Sequence, residues 1–248
     1  MDTHCLVLQD LTKNFGGLTA VNNVSLEIRA GERRAIIGPN GAGKTTLFNL
    51  ICGEFPPSRG RIFHFGEEVT QIPVHQRTAL GIARTFQITN LFPNLTVLQN
   101  LLLAAQGLEK TKYVMYLPIS SYQHLYEKAK SLLMDVELWE KRDVLVKNLS
   151  HGQQRQIEVC LALVGQPRLL LLDEPTAGLS PAETLSFTST LKRLDPAITI
   201  LLIEHNMDVA FELAENITVL HQGSLIASGT KEDIKANTTV QEIYLGME

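Results

Sequence analysis

Gly38-Pro39-Asn40-Gly41-Ala42-Gly43-Lys44-Thr45-Thr46 is the stretch that decides the fold, because the apolar run Ala35, Ile36, Ile37 precedes it and the helical pattern Leu47, Leu50, Ile51 follows. A strand, a glycine-rich loop and a helix in that order make a cradle for polyphosphate. The glycines let the backbone turn tightly and aim successive N–H groups inward, and the helix adds the positive end of its dipole. Lys44 would reach the β- and γ-phosphates of a nucleoside triphosphate, and Thr45 would offer its hydroxyl to Mg²⁺.

Around that loop the bulk properties are ordinary. A chain of 248 residues is long enough for one large domain or a core with an inserted lobe. With 44% hydrophobic and 19% charged residues it is not a disordered chain. Its net charge of -4 comes without any Lys/Arg stripe with interleaved aromatics, so nucleic acid is not an expected ligand. Cys5, Cys52 and Cys160 are odd in number and show no CxxC spacing, which predicts buried free thiols rather than a disulfide frame or a zinc site. No stretch approaches the ~18 apolar residues of a membrane span. Asp2 and His4 stand where a signal peptide needs basic and then apolar residues. The chain is therefore expected to be cytosolic and to act on membranes only through a partner.

In chain order, residues 5–8 and 24–28 read as strands, the second alternating Val24, Leu26 and Ile28 with Ser25 and Glu27 as in a half-exposed antiparallel sheet. Gly16-Gly17 marks the loop between them. Phe15, just before it, is either a core aromatic or a platform for an adenine ring, with Val21 as its apolar neighbour. Pro56-Pro57-Ser58-Arg59-Gly60 is a turn, and residues 61–65 return as a strand. Gly66 and Pro73 bound a short connection, after which Ala83-Arg84-Thr85-Phe86-Gln87 leads into a new region.

From about 88 to 160 the texture is helical, which predicts a helical lobe inserted in an α/β core. Thr96-Val97-Leu98-Gln99 has the capping-box form, with Val97, Leu98, Leu101 and Leu102 on one face. Leu125, Ala129, Leu132, Leu133 and Val136 repeat the spacing, and a third helix after Ser150 buries Ile157, Cys160, Leu161 and Val164. Gly107, Pro118 and the paired serines make part of residues 107–122 a loop. Leu91 and Phe92, ahead of these helices, are core residues or an exposed docking pair.

Residues 169–172 form a continuous apolar run of the kind found in strands buried on both faces, and Asp173-Glu174 follows it. Such carboxylates can hold Mg²⁺ and orient water, or merely cap a helix. Ser180-Pro181-Ala182-Glu183 starts a helix with a capping box and proline at its first position. Residues 198–203 are another buried strand, ending at Glu204-His205; His205 reads as a core histidine or as a contact on the γ-phosphate side. Asn206 caps the next helix. A hairpin through Gln222-Gly223-Ser224 and two short helical pieces close the chain. Strands alternating with helices predict a mostly parallel sheet with covered faces.

Leu149-Ser150-His151-Gly152-Gln153-Gln154 resembles the signature motif of ABC-transporter ATPases, and it lies between the phosphate loop and the Asp173-Glu174 strand as in that family. Gln87, Asp173-Glu174, Ala177-Gly178-Leu179-Ser180 and His205 resemble its Q-loop, Walker B pair, D-loop and H-loop, in the same order. His151 departs from the glycine commoner at its place. The resemblance spans essentially the whole chain. It implies an α/β fold, a P-loop NTPase (RecA-like) core with an N-terminal antiparallel β subdomain and an inserted α-helical lobe. The expected division is a nucleotide-binding core over 1–87 and 161–248 and a signature lobe over 88–160.

The resemblance also implies ATP and Mg²⁺ as cofactors. Phe15, Val21 and the loop from Gly38 to Thr46 would bind ATP; Thr45, Gln87 and Asp173 would serve the metal; Glu174, His205 and Gln87 would serve catalysis. Ser150, Gly152 and Gln153 would meet the γ-phosphate held by a second, identical or paralogous, ATPase subunit. Within the family, Phe15 to Val24, Ile82 to Gln87, Leu202 to Met207 and Tyr244-Leu245-Gly246 look like the ATPases of branched-chain amino acid importers, with urea importers and lipopolysaccharide exporters similar. That kinship implies integral membrane permeases as partners, a solute-binding protein indirectly, and a place at the cytoplasmic face of the membrane. An assembly ATPase of iron–sulfur clusters and a P-loop kinase are the rival readings.

Overall fold

The structure, a computed structural model, describes residues 3–85, 91–108 and 123–245. It forms two compact units: Met1–Arg84, Arg168–Pro175 and Asp195–Glu248 in the first, and Thr85–Pro167 with Thr176–Leu194 in the second.

The first unit has two sheets. β1 (His4–Phe15) and β2 (Leu18–Arg29) make a long antiparallel hairpin, extended by β4 (Arg59–His64) and β5 (Glu67–Glu68) in the order β2-β1-β4-β5. β1 and β2 run well beyond the short apolar stretches visible in the sequence. Register shifts flank Asp10 and Asn23, whose φ angles of 49° and 51° lie in the left-handed region, and they interrupt the alternation that would announce one continuous strand.

The second sheet has the order β10-β9-β3-β8-β7-β6. Its members are β3 (Arg33–Ile37), β6 (Ile82–Arg84), β7 (Leu169–Asp173), β8 (Thr199–Ile203), β9 (Asn216–His221) and β10 (Ser224–Thr230). All its pairings are parallel except the closing hairpin of β9 and β10. Every residue of β7 and β8 is buried, which is why both read as unbroken apolar runs.

α1 (Lys44–Cys52) joins the two sheets: Leu47, Phe48, Leu50 and Ile51 share one core with Leu6 and Leu8 of β1 and Leu171 and Leu201 of the parallel sheet. Its far end is fixed by an unusual cap. Arg77, in α2 (Val74–Ala79), is 1% exposed and donates Nη1 to the carbonyls of Leu50 and Ile51 at 2.7 Å each, Nε to Ile72 O at 2.7 Å and Nη2 to Thr70 O at 2.9 Å. A cation there answers both the carbonyls of the last helical turn and the negative end of the helix dipole. α7 (Met207–Leu213), capped by Asn206, α8 (Lys231–Ala236) and α9 (Thr238–Leu245) complete this unit.

The second unit is helical: α3 (Val97–Leu108), α4 (Gln123–Asp135), α5 (His151–Leu163) and α6 (Pro181–Lys192). Val97, Leu101, Leu125, Ala129, Leu133, Ile157, Cys160 and Val164 form its core. Both capping boxes foreseen from sequence are made, Thr96 with Gln99 and Ser180 with Glu183. Gly107 lies inside α3, while residues 109–122 fall outside the described stretches. Leu91 is buried against this core and Phe92 is 55% exposed, so the two do not form an exposed pair. Among the described residues, no helix is long and apolar enough to cross a membrane.

Candidate nucleotide-binding site

The loop from Gly38 to Gly43 leaves β3 and feeds α1, with Gly43 at the N-cap in the left-handed region at φ 97°. Two neighbours press on it. A Cβ at Gly38 would sit 2.1 Å from the Leu220 carbonyl oxygen, and one at Gly43 would sit 2.3 Å from that of Ala20, so only glycine fits either place. Gly223 N–H donates to Ala42 O at 3.0 Å and Ala42 N–H to Pro39 O at 3.2 Å, which sets the curvature. Lys44 is buried, and its Nζ donates back across the loop to Gly38 O at 2.7 Å and Pro39 O at 2.9 Å. Burial lowers its pKa, while the carboxylates of Glu174 and Asp173 oppose that shift.

A cavity of about 480 Å³ opens over this loop. It is lined by the loop residues from Asn40 to Thr46, by Glu174 and His205, and by Leu18, Thr19, Ala20 and Gln222. Thr45 is exposed to it in the first turn of α1. Glu174 follows β7 in the left-handed region at φ 48°, held there by its N–H on Ile203 O at 3.0 Å. Its Oε1 lies 2.6 Å from His205 Nε2, and the histidine is 43% exposed, so His205 is not a core residue.

Asp173 ends β7 almost fully buried. Arg84 Nη2 donates to its Oδ2 at 2.7 Å, and Arg84 Nη1 donates to Asn49 Oδ1 of α1 at 2.5 Å. Oδ1 of Asp173 is buried without a hydrogen-bond partner among the described residues. An orphaned carboxylate oxygen in the unit that also carries the Thr45 hydroxyl suits a hard, oxygen-seeking cation such as Mg²⁺. Arg84 and Asn49 were not singled out by sequence: Arg84 lies 89 positions from Asp173, and only strand pairing brings them together.

Phe15, at the end of β1, is 46% exposed and stands edge-on to Phe55, 5.4 Å between centroids, with Lys13 Nζ 5.1 Å from its centroid. An open aromatic face propped by a second ring suits base stacking. Val21 is entirely buried in the core and contributes nothing to the cavity wall. Gln87 lies outside the described residues.

The remaining residues belong to the helical unit. Ser150 N-caps α5, its Oγ accepting from Gln153 N while Gln153 Oε1 accepts from Ser150 N. Ser150 is exposed and Gly152 is buried. The Gly152 N–H donates to Oε1 of Glu183 at 3.1 Å.

Residues 21–177 match the ABC transporter family. The chain is 39% identical to the high-affinity branched-chain amino acid transport ATP-binding protein LivG of Salmonella typhimurium and 38% identical to BraF of Pseudomonas aeruginosa, over 99% of each chain in both cases. It is 31% identical to the lipopolysaccharide export system ATP-binding protein LptB of Acidithiobacillus ferridurans, over 97% of this chain and 96% of that one. Among crystal structures, the ADP conformation of an ATP-binding cassette of an ABC transporter superposes with a TM-score of 0.88 at 31% identity, covering 98% of this chain and 99% of that one. A dimeric post-hydrolysis state of another cassette, bound to ADP and Pi, gives 0.76 at 26% identity over 91% and 98%. The phosphate cradle, the carboxylates of Asp173 at the end of β7 and of Glu174 just after it, and these whole-length likenesses agree, and the chain belongs to the ABC transporter family as an ATP-binding, ATP-hydrolysing subunit.

Proposed function

We propose that this subunit powers import of branched-chain amino acids, by hydrolysing ATP in a dimer attached to membrane permeases. The cavity over the phosphate loop carries the reading, because it gathers a lysine, a threonine hydroxyl, a carboxylate and an imidazole around one anion cradle. The loop N–H groups and Lys44 bind the triphosphate, Lys44 exchanging its two carbonyl partners for phosphate oxygens. Phe15 stacks on the adenine. Thr45 and Oδ1 of Asp173, with Gln87, would hold Mg²⁺, which when bound would supply positive charge to offset that of the triphosphate. Arg84 fixes Asp173 by its other oxygen. Glu174 takes the proton of the attacking water, and His205 holds that carboxylate in place.

Ser150, Gly152 and Gln153 of a second subunit complete each site from the far side of the nucleotide; that a similar cassette bound to ADP and Pi is dimeric supports the pairing of two subunits. ATP then favours the closed dimer by binding it more tightly than the open one, which is all a ligand can do to an equilibrium. Phe92, with its backbone clamped by Asn100 at 2.8 and 3.1 Å, presents an apolar ring for a permease segment. Cargo identity rests on kinship with LivG and BraF.

Purification of the tagged chain from detergent-solubilised membranes tests this reading. Integral membrane permeases should accompany it, and ATP hydrolysis by the complex reconstituted with its solute-binding protein should rise with leucine, isoleucine or valine. Recovery with soluble proteins alone, or stimulation by urea and not by these amino acids, would contradict it.

A further inference from the structure

Glu183 does more than close the cap of α6. An N3 glutamate of a capping box ordinarily reaches back to its own N-cap. Here the two oxygens divide the work. Oε2 accepts from Ser180 N at 3.1 Å and from Ser180 Oγ at 2.8 Å, while Oε1 accepts from Gly152 N at 3.1 Å. Gly152 is the second residue of α5, so its N–H is among the donors a helix leaves without an internal partner. One carboxylate thus bridges the first turns of two helices, where two positive dipole ends favour an anion. The packing is close: a Cβ at Gly152 would lie 3.0 Å from Glu183 Cγ and 3.1 Å from Oε1. Hydrogen bonds from Ser180, Gly152 and Ser150 pull the carboxyl down to about 2, so it is an anion throughout the physiological range.

On the proposed function, Gly152 N–H is a donor to the γ-phosphate of ATP held by a second subunit, and this inference rests on that reading. We propose that the Glu183 carboxylate is a built-in competitor of that γ-phosphate, occupying the Gly152 N–H in the separate subunit and yielding it when the ATP-bound dimer closes. The N–H can serve one anion fully, and two anions at one helix end repel. Closure therefore includes an exchange: Oε1 leaves Gly152, the phosphate oxygen takes its place, and Oε2 stays on Ser180. The latch raises the ATP concentration needed for dimerisation and favours reopening once the γ-phosphate has gone. It also ties the Ser180 end of the D-loop to the start of the signature helix while the subunits are apart.

The test uses the hydrolysis-impaired Glu174→Gln chain, in which ATP-dependent dimerisation is followed by light scattering as ATP-Mg is titrated. Adding Glu183→Ala should lower the ATP midpoint for dimerisation about tenfold, with ATP affinity of the dilute separate subunit unchanged. Glu183→Gln, which keeps shape and one acceptor but removes the charge, should lower it less. A midpoint unchanged or raised in both variants would overturn the proposal. Should Glu183→Ala lose its fold, Glu183→Gln and a crystal structure of the ATP-bound Glu174→Gln dimer decide: Gly152 N on a γ-phosphate oxygen supports exchange, and Gly152 N still on Glu183 overturns it. If Glu174→Gln binds ATP and forms no dimer at all, the proposed function itself fails and this inference with it, an outcome distinct from an unmoved midpoint.

Discussion

His205 Nε2 stands 2.6 Å from Oε1 of Glu174, a pair assembled by residues that follow two neighbouring parallel strands. Glu174 sits in a left-handed conformation that costs energy for a side chain of its size, and its N–H on Ile203 O holds it there. The imidazole therefore finds a carboxylate whose direction is already fixed. Glu174→Gln should lower kcat by roughly 10²–10⁴-fold, the usual worth of a general base, and leave ATP binding intact. His205→Ala should cost less, and the double variant should be no worse than Glu174→Gln alone, because groups acting as one unit are not additive. Steady-state ATPase assays check this; an ATPase rate in Glu174→Gln equal to that of the parent would remove Glu174 as the base.

Lys44→Ala should weaken ATP by roughly 100-fold or more, since charge-assisted hydrogen bonds are worth about 1.5–3 kcal/mol each and each 1.4 kcal/mol is a factor of ten. Titration calorimetry with ATP-Mg measures it. Unchanged affinity would mean that the loop does not hold the triphosphate.

Arg77 makes a prediction about stability rather than catalysis. Its guanidinium is buried among four carbonyl oxygens, two of them at the end of α1, so Arg77→Ala takes a charged donor from each of them and opens a cavity. The loss should exceed about 3 kcal/mol in denaturant unfolding. Arg77→Lys should recover little, because a compact ammonium cannot span the same fork. A loss under about 1 kcal/mol in Arg77→Ala would show that the cap is dispensable.

The thiols give a simple chemical test. Cys5 and Cys52 are pushed up to about 11 and Cys160 to about 12, burial being the main cause in each case. Since the thiolate is the reactive form, a disulfide reagent at pH 8 should label none of the three within minutes in the native protein and all three in guanidinium. Rapid labelling of the folded chain would contradict their burial.

How much of this was legible beforehand depends on whether the determining contacts are local. The phosphate loop, the caps at Thr96, Ser180 and Asn206 and the buried strands β7 and β8 are specified by neighbours in sequence, and they stand where expected. The full length of β1 and β2 was hidden by left-handed residues at Asp10 and Asn23. Arg84 on Asp173 and Glu183 on Gly152 join residues 89 and 31 positions apart, and no spacing rule announces them. Val21 looked available for a base because apolar neighbours suit one, but its position in β2 turns it into the core. Leu91 and Phe92 are adjacent apolar residues, and tertiary packing alone decided that one is buried and the other open.

The central claim is that a signature serine from one subunit completes the ATP site of another, and light scattering of two proteins at saturating ATP-Mg tests it most directly. Glu174→Gln should sediment and scatter as a dimer, and the same chain carrying Ser150→Arg should bind as much ATP per chain and stay monomeric. An ATP-dependent dimer that forms equally well with arginine at position 150 would contradict the account.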